Sequence, residues 1–145
     1  MCPNSEAQGL SYYQAITTRG REANPFFLLM GIEVLRAADG ESTLQMPVRP
    51  EMRNGAGLLQ GGLFVSLADE AMALALCSVL GATDRIATVS ESTSFLKGVR
   101  EGVVVAIGRV VRKGRRVAFT DGEVRELTIE GALLARTTAV FAVMP

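Results

Sequence analysis

The apolar positions of this chain follow first a helical spacing and then, for most of its length, the alternation of strands. Within residues 6–19, Leu10, Tyr13 and Ile16 recur near helical spacing with Tyr12 and Ala15 beside them, which predicts a short first helix. Asn24-Pro25 reads as a cap followed by proline at a first helical position, and Gly31 supplies a stop after Phe26-Phe27-Leu28-Leu29-Met30. From Ile32 the rhythm changes. Ile32–Arg36 and Ser42–Met46 flank an Asp39-Gly40 turn signal, which predicts a hairpin closed off by Pro47 and Pro50.

A glycine-rich polar loop, Arg53-Asn54-Gly55-Ala56-Gly57-Leu58-Leu59-Gln60-Gly61-Gly62, then opens into an apolar run predicted as one helix over 61–80, ended by Gly81 with Asp84 just beyond. A helix apolar on nearly every side is a buried one. Two adjacent carboxylates, Asp69 and Glu70, interrupt it, and an ionised carboxylate is rarely buried without a partner or a task. Everything beyond reads as strand. Over 86–96, alternation places Thr88, Ser90, Ser92 and Ser94 on one face, with Ala87, Val89 and Phe95 on the other. Strand 102–112 is apolar on both faces, Lys113-Gly114 turns into strand 116–128, and Glu130-Gly131 turns into Ala132–Val143.

Short turns between the last strands predict an antiparallel sheet, and the long helix is the one element able to fill its concave face. The expected architecture is α+β, a sheet wrapped around one central helix. It forms a single domain over 1–145 with a helical segment at about 6–30. Strand 103–111 has apolar side chains left over after one face is spent on the helix, so a second copy is expected to cover them. A homo-oligomer, dimer or dimer of dimers, follows.

The composition narrows the function more by exclusion than by signal. Fifteen basic and fifteen acidic residues balance, so neither a nucleic-acid footprint nor a polybasic membrane patch is expected. Met-Cys-Pro-Asn-Ser-Glu carries no secretory pattern, and Asp69 and Glu70 argue against a membrane span over 63–80, which together predict a cytoplasmic protein. Cys2 and Cys77 are too few for a disulfide framework or a metal cluster, and Cys77 reads as a small core residue. The chain has no histidine. That excludes a Ser-His-Asp triad, a Cys-His pair and a His-ligated zinc site, leaving carboxylates, hydroxyls, amides and backbone groups.

Asn54, five residues, then Gln60-Gly61-Gly62, with Leu67-Ala68-Asp69 placing a carboxylate nine positions after Gln60, resembles the hotdog-fold acyl-CoA thioesterases of the phenylacetic-acid-degradation (PaaI-like) type. The resemblance covers about residues 26–145. It implies an acyl-CoA substrate, no metal or redox cofactor beyond the coenzyme A of that substrate, and an active site shared across a two-fold dimer. Gln60 stands where the family usually has histidine; glutamine donates and accepts hydrogen bonds but does not titrate. Gly98 stands where a proline is common.

Thioester hydrolysis needs a polarised carbonyl, an activated water or nucleophile, and a seat for the thiol carrier. Gly61-Gly62 begins the long helix, where backbone N–H groups lack intrahelical acceptors, so it offers an oxyanion hole or merely a tight turn. Asp69 serves as general base or as nucleophile, with a salt bridge as the plain alternative. Glu70 points about 100° away on the helix and reads as an interface or surface charge. Asn54 either hydrogen-bonds the carbonyl or holds its loop. Thr88 matches the position where related enzymes carry a serine or threonine near the attacking water. Lys113, Arg115 and Arg116 form the one dense basic cluster, suited to coenzyme A phosphates or to a soluble hairpin tip. Phe26 and Phe27 are candidates for an acyl slot. Gly61 and Asp69 lie about 12 Å apart along one helix, so both act on one thioester only if they come from different subunits. The other reading is a non-catalytic acyl-CoA binding or sensing hotdog protein, with Gln60 marking lost chemistry.

Overall fold

The computed structural model describes residues 11–145. Cys2 and the part of the expected first helix between residue 6 and Leu10 lie outside the described residues. Helix α1 (Tyr12–Arg19) starts at Ser11, whose hydroxyl accepts from the Gln14 N–H while the Gln14 side chain accepts from the Ser11 N–H. This reciprocal capping satisfies two helix-start donors at once. Helix α2 (Pro25–Met30) is capped by Asn24, with proline at its first position and Gly31 in the left-handed region at φ 71°, as its sequence signals predict.

Strands β1 (Glu33–Ala38) and β2 (Glu41–Pro47) form the expected hairpin, turning through Asp39 and Gly40 at φ 55° and 77°. Both central residues at positive φ give the turn a twist that suits a two-residue hairpin. After helix α3 (Gly61–Cys77) come β3 (Arg85–Phe95), β4 (Val103–Lys113), β5 (Val117–Glu126) and β6 (Leu133–Met144). All six strands make one antiparallel sheet in the order β1-β2-β4-β5-β6-β3, so β1 and β3 are its edges.

Helix α3 fills the concave face with Leu67, Ala68, Ala71, Met72, Leu74, Ala75 and Leu76, each at most 1% exposed. It presses hardest where small residues line up across the sheet: Ser42, Gly108, Gly122 and Thr137 are successive register partners. A Cβ on Gly108 would stand 2.3 Å from the Ala71 carbonyl oxygen, so glycine there sets how closely helix and strand approach. Ser42 Oγ donates to that same oxygen.

Three expectations need correction. The long helix stops at Cys77 rather than near Gly81, although Val79 and Leu80 continue the apolar run. Ser78 Oγ donates to the Ala75 carbonyl and accepts from Gly40 N–H, and the following N–H groups bond three residues back, which unwinds the last turn. In β3 a bulge at Val89 breaks the alternation, so Thr88 does not share a face with Ser90, Ser92 and Ser94. The outer face of β4 is only partly open: Val105 and Ile107 are 2% and 7% exposed while Val111 is 61% exposed, and Leu127 N–H bonds the Val103 carbonyl at the strand's start. The apolar surface of that strand left for a second copy is therefore confined to its Val111 end.

Candidate active site

The loop preceding α3 is tied at both ends. Asn54 N–H donates to the Leu58 carbonyl at 2.7 Å and Gly57 N–H to the Asn54 carbonyl at 3.0 Å. The Asn54 side-chain oxygen accepts from Ala56 N–H and Leu58 N–H, at 2.9 and 3.2 Å. That oxygen organises the loop; the amide nitrogen makes no hydrogen bond among the described residues. Gln60 N–H anchors the loop's end to the Met52 carbonyl. Gln60 is exposed, and its side chain makes no capping hydrogen bond, so its amide stays available at the helix mouth.

The first two N–H groups of α3, from Gly61 and Gly62, have no acceptor among the described residues, whereas Leu63 N–H bonds the Gln60 carbonyl. A Cβ on Gly62 would meet open space, and one on Gly61 would touch the Phe95 ring at 3.4 Å. Phe95 in turn meets Phe64 edge-on with centroids 6.1 Å apart. Two unpaired donors at the positive end of a 17-residue helix are what a developing oxyanion requires.

Asp69 lies two turns further along α3 and faces edge strand β3, where Thr88 Oγ1 donates to Asp69 Oδ1 at 2.9 Å. Asp69 is half-buried and Thr88 exposed. The bulge at Val89 then restores Glu91 to the face that Thr88 occupies: Thr88 pairs with Phe141 and Glu91 with Ala139, both buried against the helix side. Glu91 thus lies beside Asp69, near enough for the two carboxyl groups to raise the cost of ionising both. Burial and then the Asp69 charge push the Glu91 carboxyl up to about 8. Sequence reasoning missed Glu91 altogether, because strict period-2 alternation places it with Val89 on the opposite face from Thr88.

Glu70 belongs elsewhere. Expected as a surface or interface charge, it is half-buried against the N-terminal helices, where Asn24 Nδ2 donates to Tyr12 Oη at 2.8 Å and to Glu70 Oε2 at 3.4 Å. Burial, with the neighbouring Asp69 charge, pushes the Glu70 carboxyl up to about 7. Burial and Glu70 likewise hold the Tyr12 phenol above its ordinary value. Phe27 is fully buried in the core and cannot line an open acyl slot; half-buried Phe26 and the exposed Leu28 and Leu29 remain at the surface of α2. Among the described residues, no cluster of three or more metal-ligating side chains is present, and no helix is long and apolar enough to cross a membrane.

Lys113, Arg115 and Arg116 flank or form the β4–β5 turn, with Arg115 and Arg116 exposed at its tip. Lys113, Ala118, Phe141 and Thr88 are successive register partners across β4, β5, β6 and β3. The basic tip and Thr88 therefore sit at the same end of the sheet, three strand spacings or roughly 14 Å apart.

Comparison with known proteins bears on the family and the fold. Residues 56–132 match the thioesterase superfamily, a stretch that runs from the loop through α3 to just beyond β5. A putative esterase of Deinococcus radiodurans is 34% identical over 116 residues, covering 79% of this chain and 75% of that protein. Human acyl-coenzyme A thioesterase 13 is 30% identical over 103 residues, 69% of this chain and 72% of that one. Among solved structures, a single-residue mutant of phenylacetic acid degradation protein PaaI from Thermus thermophilus superimposes with a TM-score of 0.74. It is 29% identical, covering 82% of this chain and 98% of that one.

Proposed function

The chain belongs to the thioesterase superfamily and is a thioester hydrolase, and from that premise we propose that it hydrolyses an aryl- or fatty-acyl-CoA to the free acid and coenzyme A with Asp69 as its working carboxylate. The observation that carries this reading is the Thr88–Asp69 hydrogen bond at the edge strand, because it holds a half-buried helix carboxylate that forms no salt bridge among the described residues beside an exposed hydroxyl. Water adds across the C–S bond: oxygen joins the acyl carbon, and the thiolate leaves and takes up a proton. Asp69 either removes the proton from that water or attacks the acyl carbon first, forming an anhydride that water then opens. Gly61 and Gly62 N–H groups receive the carbonyl oxygen as it becomes anionic. Gln60 adds an amide donor beside them, and Asn54 holds the loop that presents both.

The two ends of α3 serve different active sites in this reading. Eight residues separate Gly61 from Asp69, about 12 Å of helix, too far for one acyl carbon. Edge strand β3 supports a second copy at this place. Among the described residues its 11 residues have no strand partner on the outer side, and Val89, Phe95 and Leu96 are 64%, 57% and 56% exposed along it and just past its end. Such an edge invites pairing with another strand. Antiparallel pairing of two β3 strands brings the Asp69 region of one chain toward the Gly61 region of the other. The basic tip at Lys113, Arg115 and Arg116 then lies near enough to meet the coenzyme A phosphates.

Thiol release from a panel of aryl- and fatty-acyl-CoAs tests the reading. Wild type turns over at least one class, and Asp69→Asn loses roughly 100-fold or more in kcat. Tight binding by wild type without turnover across the panel would instead identify an acyl-CoA sensor.

A further inference from the structure

We propose that Glu91 is a positioning residue for Asp69: its protonated carboxyl donates a hydrogen bond to the Asp69 carboxylate and, with Thr88, fixes which edge of that carboxylate faces the thioester. The inference rests on the catalytic assignment of Asp69 made above.

Three observations place Glu91 in this role. The bulge at Val89 puts Thr88 and Glu91 on one face of β3, both directed at α3, so Asp69 is held from two points of one strand. Glu91 Oε1 is buried, and no N–H or O–H of the described residues donates to it. A buried carboxylate oxygen without a donor is costly, and the cost falls when the Glu91 carboxyl keeps its proton beside Asp69. Two carboxyl groups in contact also cannot both ionise cheaply, so the pair keeps one proton.

The surroundings leave few other candidates for that proton. From α3 the charged group facing Glu91 is Asp69. Its partner on β6 is Ala139, and its neighbours along the same face of β3 are Thr88 and Thr93, all uncharged. Because burial and Asp69 push Glu91 up to about 8, it holds its proton at neutral pH and gives it up in mild alkali. In a chain without histidine, this supplies the active site with a group that titrates near neutrality.

Loss of the Glu91 proton removes the hydrogen bond and sets two negative charges against each other. Activity therefore falls as the pH rises through about 8. Glu91→Gln keeps a neutral donor of the same shape, so its rate at pH 7 stays within roughly threefold of wild type and its alkaline fall disappears. Glu91→Leu has no donor; its kcat falls roughly ten- to a hundredfold while KM changes little, as expected for loss of a charge-assisted bond felt in the transition state.

Two measurements decide the matter. Carboxyl-carbon NMR of the intact protein, without substrate, is expected to show Glu91 titrating near pH 8 and moving toward the ordinary carboxylate range in Asp69→Asn. The pH profile of thiol release in wild type, Glu91→Gln and Glu91→Leu is expected to follow the pattern above. Glu91 titrating in the ordinary range in wild type overturns the proposal. So does an alkaline fall that persists in Glu91→Gln, or equal loss of activity in Gln and Leu variants that remain folded by circular dichroism. If wild type releases no thiol from any acyl-CoA, the assignment of function fails, and the NMR titration still decides the state of the carboxyl pair.

Discussion

Replacing Glu70 with glutamine tests how the fold tolerates a carboxyl group in the middle of its central helix. Glu70 is half-buried beside Asn24 and Tyr12, and burial raises it from an ordinary 4.5 to about 7. Between those values the folded chain holds a proton that the unfolded chain has released. Stability from this group is therefore fully present below about 4.5 and is lost as the pH rises through about 7. At about 1.4 kcal/mol per pH unit, the displacement from 4.5 to about 7 is worth on the order of 3 kcal/mol once the group is ionised. Glutamine matches the protonated acid in shape and never ionises. Glu70→Gln is thus expected to match wild type at about pH 4.5 and to exceed it by on the order of 3 kcal/mol above about pH 8. Urea denaturation across that range, at one fixed protein concentration so that self-association does not enter, reads the difference directly. Glu91 titrates in both proteins and cancels. Parallel stability curves for the two proteins would refute the burial argument.

Two other substitutions probe the fold and the site separately. Gly108→Ala places a methyl group 2.3 Å from the Ala71 carbonyl oxygen, so helix and sheet must part; a loss of at least roughly 1–3 kcal/mol is expected in urea denaturation, and an unchanged midpoint would contradict the close packing. Thr88→Val removes the 2.9 Å hydrogen bond to Asp69 while keeping a β-branched side chain on the strand. Its kcat for thiol release is expected to fall roughly tenfold with KM nearly constant, and an unchanged kcat would show that Asp69 needs no such anchor.

What could be read from the chain was local. Asn24-Pro25 with Gly31, and Asp39-Gly40 between alternating runs, each carry their structural reason within a few residues, and the structure has helix and hairpin there. The loop-to-helix stretch was legible because Gly61, Gly62 and Asp69 lie on one element at fixed spacing. Glu91 was not legible, because one bulged residue at Val89 reverses which side chains of β3 face the helix, and no local pattern announces it. The role of Glu70 depends on Asn24 and Tyr12, which are distant in sequence and reach it only through packing. The end of α3 was hidden for a similar reason: Ser78 stops it through a bond from Gly40 in the β1–β2 turn.

The claim that one thioester is served by Asp69 of one chain and the Gly61 end of its partner is tested most directly by complementation. Asp69→Asn chains and Gly61→Val chains are each expected to be inactive alone. Mixed and refolded together, they form heterodimers in which one of the two sites holds an intact Asp69 and an intact Gly61. Thiol release is expected to return to about a quarter of the wild-type rate for random pairing into dimers. Heterodimers confirmed by mass spectrometry that release no thiol would contradict the shared site.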